Sequence, residues 1–156
     1  MHRLVDVIAV EAGVVPKDIT GAAQTGDYVK LTEYQRCLIL ISQGAWAGGT
    51  PALTLKQATD ASGTGEKALA FTERFTQVGL TGSGLAKTAV DSDTFNLPNV
   101  ANTINVLDIH GSHLDVNNGF THLRVAVASP GANADLLRIG YLLYDARFKP
   151  ASDPKL

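Results

Sequence analysis

Apolar and polar side chains alternate with a period of two residues along much of this chain, which is the spacing of a β-strand whose two faces differ. The strongest run covers residues 34–41. Leu38 and Leu40 occupy one of its faces, and Cys37 and Ile39 occupy the other, so both faces are apolar. Such a strand is typical of the middle of a sheet that is covered on both sides. The run therefore predicts a central strand buried on both faces.

Three further segments carry strand patterns. Residues 52–57 alternate as a half-buried strand should, and residues 104–109 form another apolar alternation. In residues 69–75, Phe71 and Phe75 share one face of a strand, but their spacing also fits a helix. Strand and helix therefore both remain open for that segment.

The clearest unit lies near the C-terminus. Residues 123–127 and 137–143 each alternate between apolar and other side chains, and residues 129–133 interrupt them with a cluster of turn-forming residues. Pro130 presets its backbone angle and Gly131 tolerates a positive φ, so a turn has a physical basis here. The pattern predicts two antiparallel strands joined as a hairpin.

Short strands separated by small-residue clusters, with no repeated helical pattern between them, predict an all-β protein. We expect a single domain over residues 1–156, built as an antiparallel β-sandwich of jelly-roll type. Residues 1–12 read as a strand or as an N-terminal arm, and residues 149–156 read as a C-terminal tail. Such terminal arms are expected to be mobile until they dock on a partner.

Composition and charge narrow the function. The chain has 156 residues, of which 45% are hydrophobic, so it can build a core and is not a disordered tail. Its net charge of −2 argues against nucleic acid as the main ligand. No apolar run is long enough for a membrane span, and no signal peptide is evident. Charged residues make up only 18%, below the usual quarter, which fits either an ordinary β-protein with short polar turns or a surface that is partly covered by partners.

Few residues offer chemistry. His110 and His113 lie with Asp108 and Asp115 in the densest group of possible metal ligands, but on a strand two histidines three apart point to opposite faces. They are weak metal candidates, and no metal, cofactor or catalytic residue is assigned. Cys37 lies in the most apolar run and is expected to fill core space.

Three residues are candidates for a protein interface. Trp46 follows the central strand within a run of small residues, where it is either an exposed anchor for a partner or a lid on one end of the sandwich. Arg147 and Phe148 lead into the C-terminal tail and are the other two candidates.

Two groups of segments carry a family resemblance. The first comprises TGDYVKL at 25–31, YQRC at 34–37, LTLKQATD at 53–60 and GTGEKAL at 63–69. The second comprises LRVAV at 123–127 and YLLYDARFKP at 141–150. Together they resemble small virion proteins of tailed bacteriophages, which are usually found among the head genes.

The resemblance implies a structural role without catalytic residues or cofactors. Proteins of this kind decorate or cement a capsid from outside, bind at its symmetry axes as dimers or trimers, and bridge neighbouring copies of the major capsid protein. On this view the protein would be made in the host cytoplasm and would end on the capsid surface.

Three other functions stay open at this stage. A tail-tube, head-completion or fibre component would differ from a shell protein in its copy number per particle. A carbohydrate-binding sandwich needs exposed aromatic rings, yet aromatic residues make up only 6% of the chain. A metal-dependent hydrolase around His110 and His113 would bind metal when purified.

Overall fold

The computed structural model describes residues 4–79 and 82–147. In these ranges the regular structure is β-strand, apart from three short 3-10 turns at Leu4–Asp6, Gly111–His113 and Val116–Asn118. All strand pairs are antiparallel, and the strands form two sheets that pack face to face. The predicted all-β sandwich is confirmed.

Sheet A contains six strands. In spatial order they are β1 (Ala9–Asp18), β12 (Asp135–Ala146), β4 (Tyr34–Trp46), β10 (Ile104–His110), β7 (Phe71–Gln77) and β8 (Ala86–Ser92).

Sheet B is built from shorter strands. Its main path is β2 (Gln24–Thr25), β11 (His122–Val127), β5 (Ala52–Ala58) and β6 (Lys67–Ala68), while β3 (Val29–Lys30) pairs with β11 and β9 (Thr94–Asn96) pairs with β5. The ambiguous segment 69–75 thus belongs mostly to the strand β7.

The core lies between the two inner faces. Cys37, Ile39 and Ile41 of β4 are completely buried and face Leu55 and Leu123 of sheet B across one hydrophobic cluster. Alternate residues of β5, β11 and β12 are buried in the same way, as the period of two predicts. Burial raises the pKa of the Cys37 thiol, so this residue acts as an apolar core side chain.

Tyr141 ties the two sheets together. Its ring is 1% exposed, and its hydroxyl accepts a hydrogen bond from the Val125 N–H of sheet B at 3.0 Å. Two glycines make room for the ring, because a Cβ on Gly13 or on Gly26 would lie 2.9 Å from Tyr141 atoms. The side chain therefore crosses the sandwich through a gap that only glycine leaves open.

The predicted C-terminal hairpin is wrong. Both of its strands exist, but β11 lies in sheet B and β12 lies in sheet A, where it pairs with β1 and β4. The seven residues between the strands, 128–134, carry the chain from one layer to the other. A turn within a sheet and a crossing between sheets use the same turn-forming residues, so the sequence signal did not separate them.

The N-terminal segment is partly a strand. Residues 1–3 lie outside the described ranges, and β1 begins at Ala9, so the last four residues of the segment 1–12 belong to sheet A.

The two faces of β4 are not equally buried, although the sequence predicts burial of both. Ile39 is fully buried, but Leu38 on the opposite face is only half-buried, because no described residue forms a layer over that face.

Candidate functional site

Sheet A carries adjacent rows of apolar side chains on the side that faces away from sheet B, and most of these side chains are half-buried. Residues paired across antiparallel strands point to the same side of a sheet, so the strand register identifies the members of this surface. One row runs across Val10, Leu142 and Leu38, and the next runs across Leu40, Val106 and Phe75. We call the surface formed by these six residues the outer face.

The outer face is shielded by its own neighbours and not by a second layer. Val106 is 5% exposed, because Leu40 and Phe75 flank it on adjacent strands. Leu142 of β12 and the two β4 members, Leu38 and Leu40, are half-buried, and Val10 at the margin is 64% exposed. A contiguous apolar patch of this kind on a protein surface marks an interaction site more often than a stray exposed side chain does.

Further exposed apolar residues precede β1. Leu4 and Val5 are 67% and 69% exposed, and Val7 is 41% exposed. They precede β1, whose Val10 is the marginal member of the outer face. The N-terminal part of the described chain therefore adds exposed apolar side chains before the first strand of sheet A.

A polar cluster borders the outer face at one end. Arg36 of β4 donates two hydrogen bonds to Asp108 of β10, with Nη2 at 2.6 Å and Nε at 3.3 Å from the carboxylate oxygens. The Tyr144 hydroxyl of β12 lies 2.8 Å from both oxygens of the same carboxylate. The hydrogen bonds to Asp108 raise the pKa of Arg36, while burial and the nearby Asp108 raise that of Tyr144. The cluster joins three neighbouring strands of sheet A and pairs the Asp108 carboxylate with the Arg36 guanidinium and the Tyr144 hydroxyl.

The exposed side of sheet B is different in character, because its centre is charged. Glu66 accepts hydrogen bonds from Tyr28 and from Lys56, the latter at 2.7 Å, and forms an ion pair with Arg124. The Arg124 guanidinium also lies 4.6 Å from the centre of the Tyr28 ring. Burial alone would raise the pKa of Glu66, but the hydrogen bonds from Lys56 and Tyr28 and the charge of Arg124 outweigh it and lower the pKa to about 2.

This low pKa predicts an acid-sensitive contribution to stability. The ordinary pKa of the group is 4.5, so the ionised Glu66 stabilises the fold fully above pH 4.5 and progressively less as the pH falls toward 2. Because the carboxylate is partly solvent-screened, we expect Glu66→Gln to cost about 2 kcal/mol at pH 7. The difference from the wild type should vanish near pH 2, as measured by urea unfolding at several pH values.

The exposed Glu33 provides the control for this experiment. Glu33→Gln should change the free energy of unfolding by less than about 0.5 kcal/mol at either pH. A constant difference between Glu66→Gln and the wild type from pH 7 to pH 2 would contradict the assignment.

The structure places two of the three interface candidates. Trp46 is half-buried, packs against the core, and donates its indole N–H to the Gly49 carbonyl at 3.2 Å, which is the arrangement of a lid. Arg147 is exposed, and it lines a cavity of about 220 Å³ together with apolar side chains that include Leu31, Leu114 and Phe120. Phe148 lies outside the described residues.

The two histidines lie close together but without further metal ligands. The ring centres of His110 and His113 are 6.4 Å apart, and Nδ1 of His110 is hydrogen bonded to the Ser112 hydroxyl at 2.8 Å. Within residues 4–79 and 82–147, no three His, Cys, Asp or Glu side chains are grouped to hold a metal ion. In the same ranges no helix is long and apolar enough to span a membrane.

Comparisons with known proteins add little to this geometry. No family model matches the sequence, and no curated protein matches it. A solved structure, the crystal structure of the SPBc2 prophage-derived protein YomS, is similar with a TM-score of 0.49 and 14% sequence identity. The match covers 87% of this chain and 92% of that chain. A likeness of this size carries no weight for function, which has to be judged from the surfaces described above.

The sequence does not identify the outer face as a site, because its pattern equally indicates burial. Apolar residues on both faces of 34–41 indicated a strand covered on both sides, and the same pattern arises when one face awaits a partner. Val10 and Val106 could not be linked to this run beforehand, since their neighbourhood depends on strand order and register.

Proposed function

We propose that this protein is a non-enzymatic structural protein of a tailed-bacteriophage virion, and that it binds the outside of the capsid and stabilises the shell by bridging capsid subunits. The observation that carries the proposal is the outer face of sheet A, which is apolar at its centre and has no covering layer among the described residues. A protein that works by adhesion needs such a surface, whereas a catalyst needs converging polar groups.

The sequence resemblance supports the same role. The segments that resemble small virion proteins include 34–37 and 141–150, and these contribute Arg36, Leu142 and Tyr144 to the outer face or to its polar border. The low share of charged residues, 18%, also fits a protein whose surface is largely covered in an assembly.

Many identical copies on a closed lattice make weak contacts effective. Each copy that binds the assembled shell, and not its free subunits, adds stability to the shell by mass action. Bridging two neighbouring subunits also raises the effective concentration for the second contact. A modest apolar surface on each copy is therefore sufficient for cementing.

A carbohydrate-binding role is less well supported by the geometry. Stacking on a sugar requires an exposed aromatic ring, and every aromatic side chain in the described ranges is buried or half-buried. Phe148, the remaining aromatic residue, lies outside those ranges.

The proposal predicts the behaviour of particles stripped of this protein. They should rupture at lower temperature or under milder osmotic shock than complete particles, and purified wild-type protein should restore their resistance. Leu142→Lys should reduce binding to stripped particles at least tenfold, because a partner would have to bury the ammonium group in an apolar contact.

Ala126→Lys is the matched control. Ala126 is half-buried on the exposed side of sheet B, so the same charge is added to the opposite layer. This variant should bind and restore resistance like the wild type. Stripped particles that are as robust as complete ones would exclude a cementing role, and a copy number of only a few per particle would place the protein in the neck or tail.

A further inference from the structure

A cavity of about 220 Å³ lies between the two 3-10 turns that follow β10 and the segment that joins β3 to β4. Its walls include Leu31, Leu114 and Phe120, which are at most 8% exposed, and it is also lined by Val116, which is 54% exposed. An apolar cavity of about 150 Å³ is large enough for benzene, whereas drug-sized ligands occupy about 300 Å³ or more. The space therefore suits one apolar group of the size of a large side chain.

An arginine accompanies these apolar walls. Arg147 lines the cavity and is exposed. Among residues 4–79 and 82–147, no carboxylate forms an ion pair with it. A guanidinium without such a partner favours a carboxylate ligand, which it can hold through two parallel hydrogen bonds. The cavity thus combines an apolar space with a cation that is available to an anion.

Two features hold Arg147 in this position. Its backbone N–H donates to the Glu33 carbonyl at 2.8 Å, which fixes the chain. Gly111 leaves space for the guanidinium, because a Cβ there would lie 3.1 Å from Nη2 of Arg147. Gly111 is not among the residues with a positive φ, so its backbone conformation does not require glycine. The missing side chain at this position is what the guanidinium uses.

The walls of the cavity are held by backbone hydrogen bonds. The N–H of Leu31 donates to the Thr121 carbonyl at 2.9 Å, and the N–H of Thr121 donates to the Ala58 carbonyl at 3.2 Å. The N–H of Leu114 donates to the Gly111 carbonyl at 3.3 Å. A cavity that is formed in advance loses little conformational entropy when a ligand binds.

The cavity lies at the end of sheet A where the polar cluster borders the outer face. Gly111 directly follows His110, and His110 is opposite Arg36 in the register of β10 with β4. A partner that covers the outer face can therefore reach the cavity with an adjoining segment.

We propose that the cavity binds a segment of a partner protein that inserts one large apolar side chain and places a carboxylate against Arg147. The inference rests on the proposed function for the source of this segment, which would be a capsid subunit. A large apolar residue next to Asp or Glu has the required chemistry. Burial of its side chain supplies hydrophobic free energy, and the ion pair fixes the direction of the segment.

Two small probes test the cavity on purified protein. 4-Methylpentanoate carries a leucine-like isobutyl group and a carboxylate, and 4-methylpentanamide is its uncharged analogue. Both should shift the methyl NMR signals of Leu31, Leu114 and Val116. At low salt the acid should bind about fivefold more tightly than the amide, which is the upper end of what an exposed ion pair supplies. Equal affinities, or no shift at these methyl groups, would overturn the site.

Substitutions separate the charge from the apolar walls. Arg147→Met should lower the affinity for the acid to that for the amide and leave the amide unchanged, and Arg147→Lys should restore part of the preference. Gly111→Ala should reduce the preference as well, because the new Cβ displaces the guanidinium. Arg138→Met changes another exposed arginine, in β12, and should leave both affinities as in the wild type. An undiminished preference for the acid in Arg147→Met would overturn the role of Arg147.

The tail of the chain is the other possible occupant. Phe148, which lies outside the described residues, directly follows Arg147. If Phe148→Ser bound both probes at least fivefold more tightly than the wild type, the chain would be filling its own cavity, and the assignment to a partner would be wrong. Unchanged probe affinities in this variant are expected.

Stripped particles test the source of the segment. Arg147→Met should bind them about fivefold more weakly than the wild type, because the ion pair is lost. Unchanged binding to particles by this variant would overturn the assignment of the segment to a capsid subunit. Wild-type protein that binds the acid in the cavity but does not restore stripped particles would overturn the proposed function and leave the chemistry of the cavity in place.

Discussion

Replacing Tyr141 with alanine is expected to lower the free energy of unfolding by about 3–5 kcal/mol, as for other large core aromatics. The side chain is 1% exposed and extends from β12 in sheet A to Val125 in sheet B. Its removal would therefore empty a space that both sheets line and would leave a buried N–H without its acceptor. Chemical unfolding followed by circular dichroism measures the loss.

Two milder variants separate the contributions. Tyr141→Phe keeps the ring and removes the hydroxyl, so it should cost about 1–3 kcal/mol for the unpaired N–H of Val125. Gly26→Ala keeps the tyrosine but places a methyl group 2.9 Å from its hydroxyl and 3.1 Å from the Val125 carbonyl. Because the carbonyl is backbone and cannot easily move, this variant should cost about 1–3 kcal/mol.

Tyr34→Phe is the control for loss of a tyrosine hydroxyl, because Tyr34 is only half-buried. It should change stability by less than about 0.5 kcal/mol. Equal effects of Tyr141→Phe and Tyr34→Phe would show that the bond to Val125 does not hold the sheets together.

The strands of this fold are largely predictable from its sequence, because burial of one sheet face imposes a period of two. Residues 34–41, 52–57 and 104–109 all lie in strands, and the buried positions of β11 and β12 are the alternating apolar ones. The alternation does not specify which strands pair with each other. In the sequence, the crossing from β11 to β12 therefore has the same pattern as a hairpin.

The candidate site is less predictable for the same reason. Val10, Leu142 and Leu38 form one row, although they are distant in sequence, because β1, β12 and β4 are neighbours in sheet A. Trp46, by contrast, was recognised as unusual from its small-residue surroundings, and the structure shows it packed against the core. Sequence pattern thus identifies conspicuous residues more readily than surfaces assembled from many strands.

Buried polar residues at one end of the core are a further feature that the alternation did not reveal. Gln43, Thr103 and Asn105 are at most 3% exposed, and they occupy inner-face positions or the loop before β10. The side-chain NH2 of Asn105 donates to the side-chain oxygen Oε1 of Gln43 at 3.1 Å. The Thr76 hydroxyl donates to the side-chain oxygen Oδ1 of Asn105 at 2.9 Å. Gln43 and Asn105 are polar, so the sequence pattern alone would place both on the solvent-facing side of their strands.

This network fixes the segment between β9 and β10. Gln43 donates its amide N–H to the Pro98 carbonyl at 2.8 Å, and its backbone N–H donates to the Thr103 carbonyl at 2.9 Å. The N–H of Asn102 donates to the Gly44 carbonyl at 2.9 Å. The loop is therefore held by bonds to β4, and Asn105 orients the Gln43 side chain that provides one of them.

Asn105→Ala is accordingly expected to lower the free energy of unfolding by about 2–4 kcal/mol. The substitution creates a cavity and removes the partners of the Gln43 side-chain oxygen and the Thr76 hydroxyl. Amide hydrogen exchange should accelerate at Asn102 and Leu97, whose N–H groups are bonded to Gly44 and Pro51. In a double-mutant cycle with Gln43→Ala the two costs should be less than additive by at least about 1 kcal/mol, since both variants break the same bond. Additive costs with unchanged exchange in the loop would mean that the two amides act independently, and the buried layer would then be a set of separate contacts with no shared network.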